Sequence, residues 1–447
     1  MSPRRAPVLL AGATCLAWLA LTTGYGAAAA GSEVDLGGEP LPGKASTSPE
    51  TPTALAPGLW RTSLGPSFPQ YFSYERRING SRVHIGVLGA PQGDSSDGIR
   101  VLAGVATEGS SDLTSCGEEY DSADTGIPHA VLGARVVVGG EDGSTGEACR
   151  DAGTVQIEVN RGYGSPTTDL PYVIKVVEEA PSSGPGDAEP DDAPAYDRPD
   201  AGKAESLEGT ASFDTAPELD AQDGPVTVST TITEGTEQLW RLPLTWGDLP
   251  VVRVDVPAAK GKDEDTFAYS GPNLTLHLID PLRGRLVHAD PAAEDSSTGS
   301  YLAEAEDRDP TVLVGSGFPV RQVDERLPGD YWVSLAVSPA PEGRKPVDVP
   351  VTVTVAVDHE TGGAPTYDGV VVSQDKENSL EGYSPERPFL VGENTFAAVA
   401  SGSPIGDDGW FTTRHWAGVG LAAASVACLG AGLLRLRAAS SSSRPRR

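Results

Sequence analysis

The chain has 447 residues with 63 acidic against 33 basic side chains, a formal net charge of −30. Residues 1–30 and 414–447 carry eight arginines and no acid, which leaves −38 over residues 31–413. A field of that sign repels nucleic acid and anionic headgroups and favours cations, so a nucleic-acid partner is excluded.

The chain opens as a secretory signal over residues 1–30. Arg4 and Arg5 form the charged region, Pro7 to Leu21 the apolar run, and Ala28-Ala29-Ala30 the small-residue cleavage pattern. Residues 31–53, rich in Gly, Pro, Ser and Thr, read as a flexible leader. The first β module is expected over 54–180, with strands at 70–78, 81–88, 99–106, 130–138, 153–160 and 172–178. Asn79-Gly80 joins the first two of these and is a hairpin signal, because both turn residues accept positive φ. Residues 181–223 are acidic and interrupted by Pro181, Pro185, Pro190, Pro194 and Pro199. Such a segment buries too little apolar surface to offset its chain entropy and is read as an extended linker.

A second β module follows over 224–358, with strands expected at 226–233, 237–244, 250–256, 273–279, 285–289, 311–314, 331–337 and 348–357. LTLHLIDPLRGRLVHAD reads as two strands turned at Asp280-Pro281-Leu282-Arg283-Gly284. Short strands with turns every eight to twelve residues argue for a sandwich. In outline the segment 53–88 matches 226–256: an opening strand, an aromatic-centred strand and a Val-rich strand. PYVIKVVEEA (171–180) and DYWVSLAVSPA (330–340) look like matching closing strands, so the modules read as copies of one unit.

Residues 359–413 read as an irregular stalk with one short strand near 367–373. Trp416 to Leu434 is an uncharged run long enough to cross a hydrocarbon core, so 414–435 is expected to be a transmembrane helix. The arginines of the tail 436–447 and its flank put that end in the cytoplasm. The fold class is therefore all-β: two jelly-roll-like sandwich modules joined by an acidic linker, plus one C-terminal membrane helix. The expected location is the cell membrane, single-pass, with the N-terminus outside.

Of the four cysteines, Cys15 leaves with the signal and Cys428 sits in the span. Cys116 and Cys149 remain in an oxidising setting and are expected to bond to each other. Both fall in polar stretches between expected strands, so the bond is read as pinning long loops rather than the core.

The second module carries motifs of a known family. Leu239-Trp240-Arg241-Leu242, then Asn273-Leu274-Thr275-Leu276-His277-Leu278-Ile279-Asp280-Pro281, then Leu327-Pro328-Gly329-Asp330-Tyr331-Trp332-Val333 resemble bacterial pre-peptidase C-terminal domains. The resemblance covers about 226–357 and more faintly 53–180. It implies small extracellular jelly-roll-like sandwiches with a binding, spacer or secretion-associated role, often beside a peptidase. Where such domains hold calcium they use acidic loops. The corresponding residues here are Asp263, Asp265, Asp307 and Asp309, which lack the regular D-x-D-x-D-G spacing, so no cofactor is expected.

No catalytic signature stands out. His359-Glu360 is followed by Thr-Gly-Gly and breaks H-E-x-x-H, and Gly315-Ser316-Gly317 is too short for a nucleophile elbow. His84 and His277 fall within expected strands; a cleft gathering either with two acids would favour catalysis. Among aromatics, Trp240, Tyr331 and Trp332 are the candidates for stacking on a sugar or anchoring a partner, against the commoner role of core packing. The sequence thus points to a non-enzymatic envelope protein for adhesion, partner binding or scaffolding, with two rival readings: an accessory or divergent member of a surface peptidase system, and a carbohydrate-binding protein of the cell wall. Its partners would be the plasma membrane, through one helix, and an envelope protein or cell-wall polysaccharide.

Overall fold

The computed structural model describes residues 34–76, 80–93, 96–106, 113–123, 130–139, 146–162, 166–179, 197–257, 274–286, 311–316, 320, 326–359, 370–371 and 399–400. The expected membrane span, tail and signal, and the four calcium candidates, lie outside them. Among the described residues no helix is long and apolar enough to cross a membrane.

The first half is built from β1 (Glu39–Pro40), β2 (Thr53–Leu55), β3 (Gly58–Leu64), β4 (Gln70–Glu75), β5 (Arg82–Gly89), β6 (Gly98–Ala106), β7 (Leu113–Ser122), β8 (Leu132–Val138), one short helix α1 (Glu147–Asp151), β9 (Thr154–Asn160) and β10 (Leu170–Glu179). One sheet runs β1-β3-β10-β5-β8 and the other β2-β4-β9-β6-β7. Their inner faces meet in a single core. Val83, Ile85, Val87, Ile174 and Val176 come from the first sheet; Phe72, Tyr74, Val101, Ile157 and Val159 come from the second.

The second half follows with β11 (Glu205–Ser206), β12 (Val226–Thr233), β13 (Glu237–Leu244), β14 (Asp248–Val256), β15 (Leu274–Ile279), β16 (Arg285–Leu286), β17 (Thr311–Ser316), β18 (Gly329–Val337) and β19 (Asp348–His359). Its sheets run β11-β12-β19-β14-β17 and β13-β18-β15-β16, around a core that includes Trp240, Leu242, Val252, Val254, Tyr331, Val333 and Val353. A two-stranded ladder, β20 (Val370–Val371) with β21 (Val399–Ala400), falls in the expected stalk.

The halves share one topology. Counting eight strands from β3 in the first half and from β12 in the second, one sheet holds strands 1-8-3-6 and the other 2-7-4-5, in both. The opening correspondences read from sequence hold: β3 with β12, β4 with β13, β5 with β14. The closing one does not, because β18 occupies the seventh position and its counterpart is β9, not β10. The aromatics near the starts of these two strands, Tyr172 and Tyr331, are each buried in their own module's core, a place that either sheet can supply.

Other expectations are corrected. β4 and β5 do not form a hairpin: β4 pairs with β9 and β2, while β5 lies between β10 and β8 in the opposite sheet. The chain near Gly80 (φ 73°) therefore crosses between the two sheets. Alternating strands around Asn-Gly look the same whether they pair side by side or face each other across a core.

Residues 34–53 and 197–223, expected as leader and linker, take part in the packing. Asp35 bridges Ser212, β1 pairs in parallel with β3, and β11 with β12. Val34, Leu36, Phe213, Leu219 and Ala221 are buried. A few apolar residues suffice where two finished sheets already supply the walls, and averages over composition conceal them.

The disulfide is formed, with Cα atoms 5.6 Å apart. It does not pin loops, however. Cys116 lies in β7 and Cys149 in α1, and both are buried within the first core. β7 (LTSCGEEYDS) was missed because it is a polar edge strand that turns only Cys116 and Asp121 fully inward.

Candidate functional site at the module junction

Strand alternation gives the central sheet of each module a second face, and these second faces pack on each other. From the first module Leu59, Leu88, Ala90, Val131 and Val173 meet Leu239, Ile279 and Trp332 of the second; Val34, Leu36, Phe213 and Ala216 close the same cluster. Among the described residues the two halves thus stack four sheets deep, with two sandwich cores and a third apolar layer between them.

The β15–β16 turn is the main plug in this junction. Its pairing is Leu278 with Leu286 and Ile279 with Arg285, as the sequence predicts. Asp280 Oδ1 accepts the Leu282 and Gly284 amides at 2.9 and 2.7 Å, which holds Arg283 at φ 70°, in the left-handed region. The turn backbone lies on two glycines of the first module. A Cβ at Gly86 would overlap the Leu282 carbonyl oxygen, and one at Gly133 would come within 2.7 Å of the Arg285 nitrogen. Arg283 itself is fully buried, its guanidinium 4.4 Å from the Phe213 ring centroid and 4.2 Å from that of Trp332. Stacking on two desolvated rings is worth about 2 kcal/mol or more per contact.

The three aromatics singled out from sequence are consequently enclosed. Trp240 and Tyr331 are in the second core, and Trp332 is in the junction, where its Nε1 donates to the Phe213 carbonyl at 3.1 Å. Of the two roles weighed for Trp240, Tyr331 and Trp332, the structure shows the commoner one, core and interface packing. The covering of Trp332 depends on Phe213 and on a module far away in sequence.

His84 and His277 also point into the junction rather than a cleft. His84 Nε2 and Glu179 Oε2 are 2.7 Å apart and both side chains are fully buried. His277 Nε2 accepts from Arg285 Nη1 at 3.2 Å; burial, and then the Arg285 charge, push its pKa well below the ordinary value. Each histidine is a structural member of a buried polar network.

Glu237 is a buried carboxyl in the same layer. It accepts hydrogen bonds from Ser334 Oγ and from the Val131 amide of the other module, and burial raises its pKa from 4.5 to about 7. A raised folded pKa means its stabilising protonated state is fully present below 4.5 and lost as pH rises to about 7. Glu237→Gln keeps an acceptor and removes the ionisation. The variant should gain on the parent by about 3 kcal/mol between pH 4.5 and 7 and by nothing further above it. Urea midpoints across that range test this; parallel curves would remove Glu237 from the linkage.

At the open edge of the junction is a cleft of about 450 Å³ lined by residues of both modules: Glu119, Tyr120, Asp121, Arg135 and Val137 from β7 and β8, Arg285 and Leu286 from β16, and Arg326. Arg285 Nη2 is 2.5 Å from Asp121 Oδ1, and Arg135 Nε is 3.3 Å from Asp280 Oδ2. Asp121 also accepts the Gly133 and Ser122 amides at 2.9 and 2.8 Å. Burial raises both carboxyls, while Arg285 at Asp121 and Arg135 with Arg326 at Asp280 oppose that rise. A second hollow of about 540 Å³ lies by Phe213, Asp214, Arg241 and Asp330, where Arg241 is held between Asp330 and Glu218.

Nothing in the sequence marked Arg135, Arg285 and Arg326 as neighbours. They are far apart in the chain, and Arg135 reaches the other two only because the modules dock. Among the described residues no cluster of histidine, cysteine and acidic side chains could hold a metal.

No family model matches the chain, and no curated protein matches it in sequence. Solved structures with some likeness include PliG, a periplasmic inhibitor of g-type lysozyme from Aeromonas hydrophila. It is 11% identical with a TM-score of 0.17, covering 32% of this chain and 95% of that one. Others are the CBM22-1–CBM22-2 tandem of Paenibacillus barcinonensis Xyn10C (10%, TM-score 0.18, 67% of this chain and 85% of that one) and the ANXUR1 extracellular domain of Arabidopsis thaliana (9%, TM-score 0.17, 67% and 83%). Likenesses at TM-scores this low carry no statement about the fold or function of this chain.

Proposed function

We propose that this protein is a non-enzymatic, membrane-anchored envelope protein that displays two docked jelly-roll modules as one rigid binding or spacer unit. The observation that carries the reading is the junction itself: two whole sheets, a buried Arg283 between two rings, and a segment from each end of the first module wrapped over the seam. A unit locked in this way holds a surface at a fixed orientation, which suits display or spacing. The repeated strand order 1-8-3-6 and 2-7-4-5 is that of a jelly roll and supports kinship with pre-peptidase C-terminal domains. The Cys116–Cys149 bond supports an oxidising compartment outside the cytoplasm. The recognised partner would be an envelope protein or a cell-wall polysaccharide.

Fractionation tests the display. The full chain should sediment with membranes and be shaved from intact cells by added protease, whereas a chain lacking 416–434 should leave for the medium. Retention of the truncated chain on the membrane would overturn the anchor.

A further inference from the structure

We propose that docking of the two modules is proton-controlled, with the Glu237 carboxyl as its latch: protonated, it seals the seam; ionised, it loosens it. The inference goes beyond the display reading and does not depend on the membrane anchor.

Strand register puts the carboxyl at the seam. Trp240 and Leu242 of β13 enter the second core, so Leu239 and Glu237 lie on the opposite face, where Leu239 joins the junction cluster. Glu237 is opposite Ala336 of β18, and Ala336 is opposite Thr275 of β15. The next row across this face reads Leu239, Ser334 and His277. Ala336 packs on Ala130 of the first module, and the neighbouring Val131 amide donates to Glu237. Ser334 Oγ donates to its Oε1 from within its own sheet. One carboxyl therefore bonds to both modules at once.

Its surroundings suit the neutral acid. Glu237 is 1% exposed, and its Oε2 has no hydrogen-bond partner among the described residues. β18 presents Ser334 and Ala336 to it, and the first module presents Ala130 and Val131, all uncharged. At the turn before β13, Glu234 is paired with Arg344. The charged groups of the wider layer are tied to one another: His84 to Glu179, Arg135 to Asp280, and Arg285 to Asp121 and His277. Lys175 lies farther along β10, opposite Leu59 and Gly86. An anion at Glu237 would thus be desolvated with no cation to offset it.

Undocking returns the carboxyl to water and to its ordinary value of 4.5, whereas burial in the closed seam raises it to about 7. The docked value is the higher one. Glu237 therefore supports docking fully below pH 4.5 and loses that support as pH rises to about 7, with no further loss above. His277 runs the other way. Burial, and then Arg285, push its value down, so its support is full above pH 6.5 and falls on acidification. Any test has to separate these two limbs.

Hydrogen exchange read by mass spectrometry on the detergent-solubilised full chain does so, with each rate divided by the intrinsic rate at that pH. The reporter is the turn 280–284, whose Leu282 and Gly284 amides are held by Asp280 and whose backbone rests on Gly86. The controls are β4 and β9, in the sheet of the first module that faces away from the seam. Glu237→Gln, which keeps an acceptor, should protect the turn better than the parent does. That advantage should grow about tenfold or more between about pH 5 and pH 8, and the His277 limb cancels because both chains carry it. Protection of β4 and β9 should be equal in the two chains. An advantage that does not grow with pH would overturn the proposal, as would β4 and β9 changing in step with the turn. The parent alone gives a second reading, above the range in which His277 titrates. From about pH 6.5 to 8 its turn should lose protection a few-fold while β4 and β9 keep theirs. Constant protection of the turn there would also sink the latch, even where Glu237→Gln fails to fold.

Discussion

Gly86→Val is expected to pry the two modules apart while leaving each sandwich folded. The valine methyls would start from a Cβ that already overlaps the Leu282 carbonyl oxygen, and a backbone atom in a turn held by Asp280 cannot rotate away. Overpacking of a close-packed site costs about 1–3 kcal/mol. Here relief requires the whole turn to lift, which unstacks Arg283 from Phe213 and Trp332 and exposes a buried cation-lined seam. We therefore expect the full upper value, about 3 kcal/mol, to fall on docking rather than on either core. Urea unfolding followed by tryptophan fluorescence should show an early transition in which Trp332 reports exposure, followed by the module transitions. The cleft at the junction edge should vanish with it, since its lining comes from both modules. A single transition at the parental midpoint would show that the turn yields cheaply and that the junction is less rigid than argued.

The double variant Cys116→Ser, Cys149→Ser carries the second large effect. The bond closes a loop with a sequence separation of 33 residues, for which loop-closure entropy alone gives about 3–4 kcal/mol. Its place in the first core adds to that, because it ties polar edge strand β7 to the helix α1 within one apolar cluster. Calorimetry should show the first module melting earlier by several degrees, with the second module's transition little moved. Equal loss in both modules would mean that the junction transmits the defect, and no loss would mean that β7 is held by other contacts.

The strands of the second module were nearly all legible in the sequence. The spans 226–233 and 237–244 match β12 and β13 to the residue, and the Asp280–Gly284 turn is where composition put it. There the inner faces are apolar, the turns carry Gly and Asp, and each signal is local. Legibility fell wherever burial came from afar. β5 and β10 are buried along almost their whole length because a second module covers their outer face, so alternation fades in them. β7 has almost no apolar signal, and its inward Cys116 becomes core only through Cys149. Segments 34–41 and 205–221 carry so few apolar residues that only the groove between two finished sheets makes them part of the fold.

The candidate site was illegible for the same reason. An arginine in sequence is a solvated charge until something places a carboxylate on one side of it and a cavity on the other. Asp121 and Arg285 are joined across the junction, as are Arg135 and Asp280, and neither pair has any sequence spacing to betray it.

The amino-acid sequence by itself determined the all-β class, the two β-rich halves and the pairing of Cys116 with Cys149. Each of these follows from side-chain alternation, turn chemistry or cysteine count within reach along the chain. Only the tertiary structure decided which sheets meet, that Trp332 and His277 are interior, and that three arginines share one cleft. Those outcomes rest on contacts between residues far apart in the chain, whose free energy exists only after both modules have formed the faces that touch.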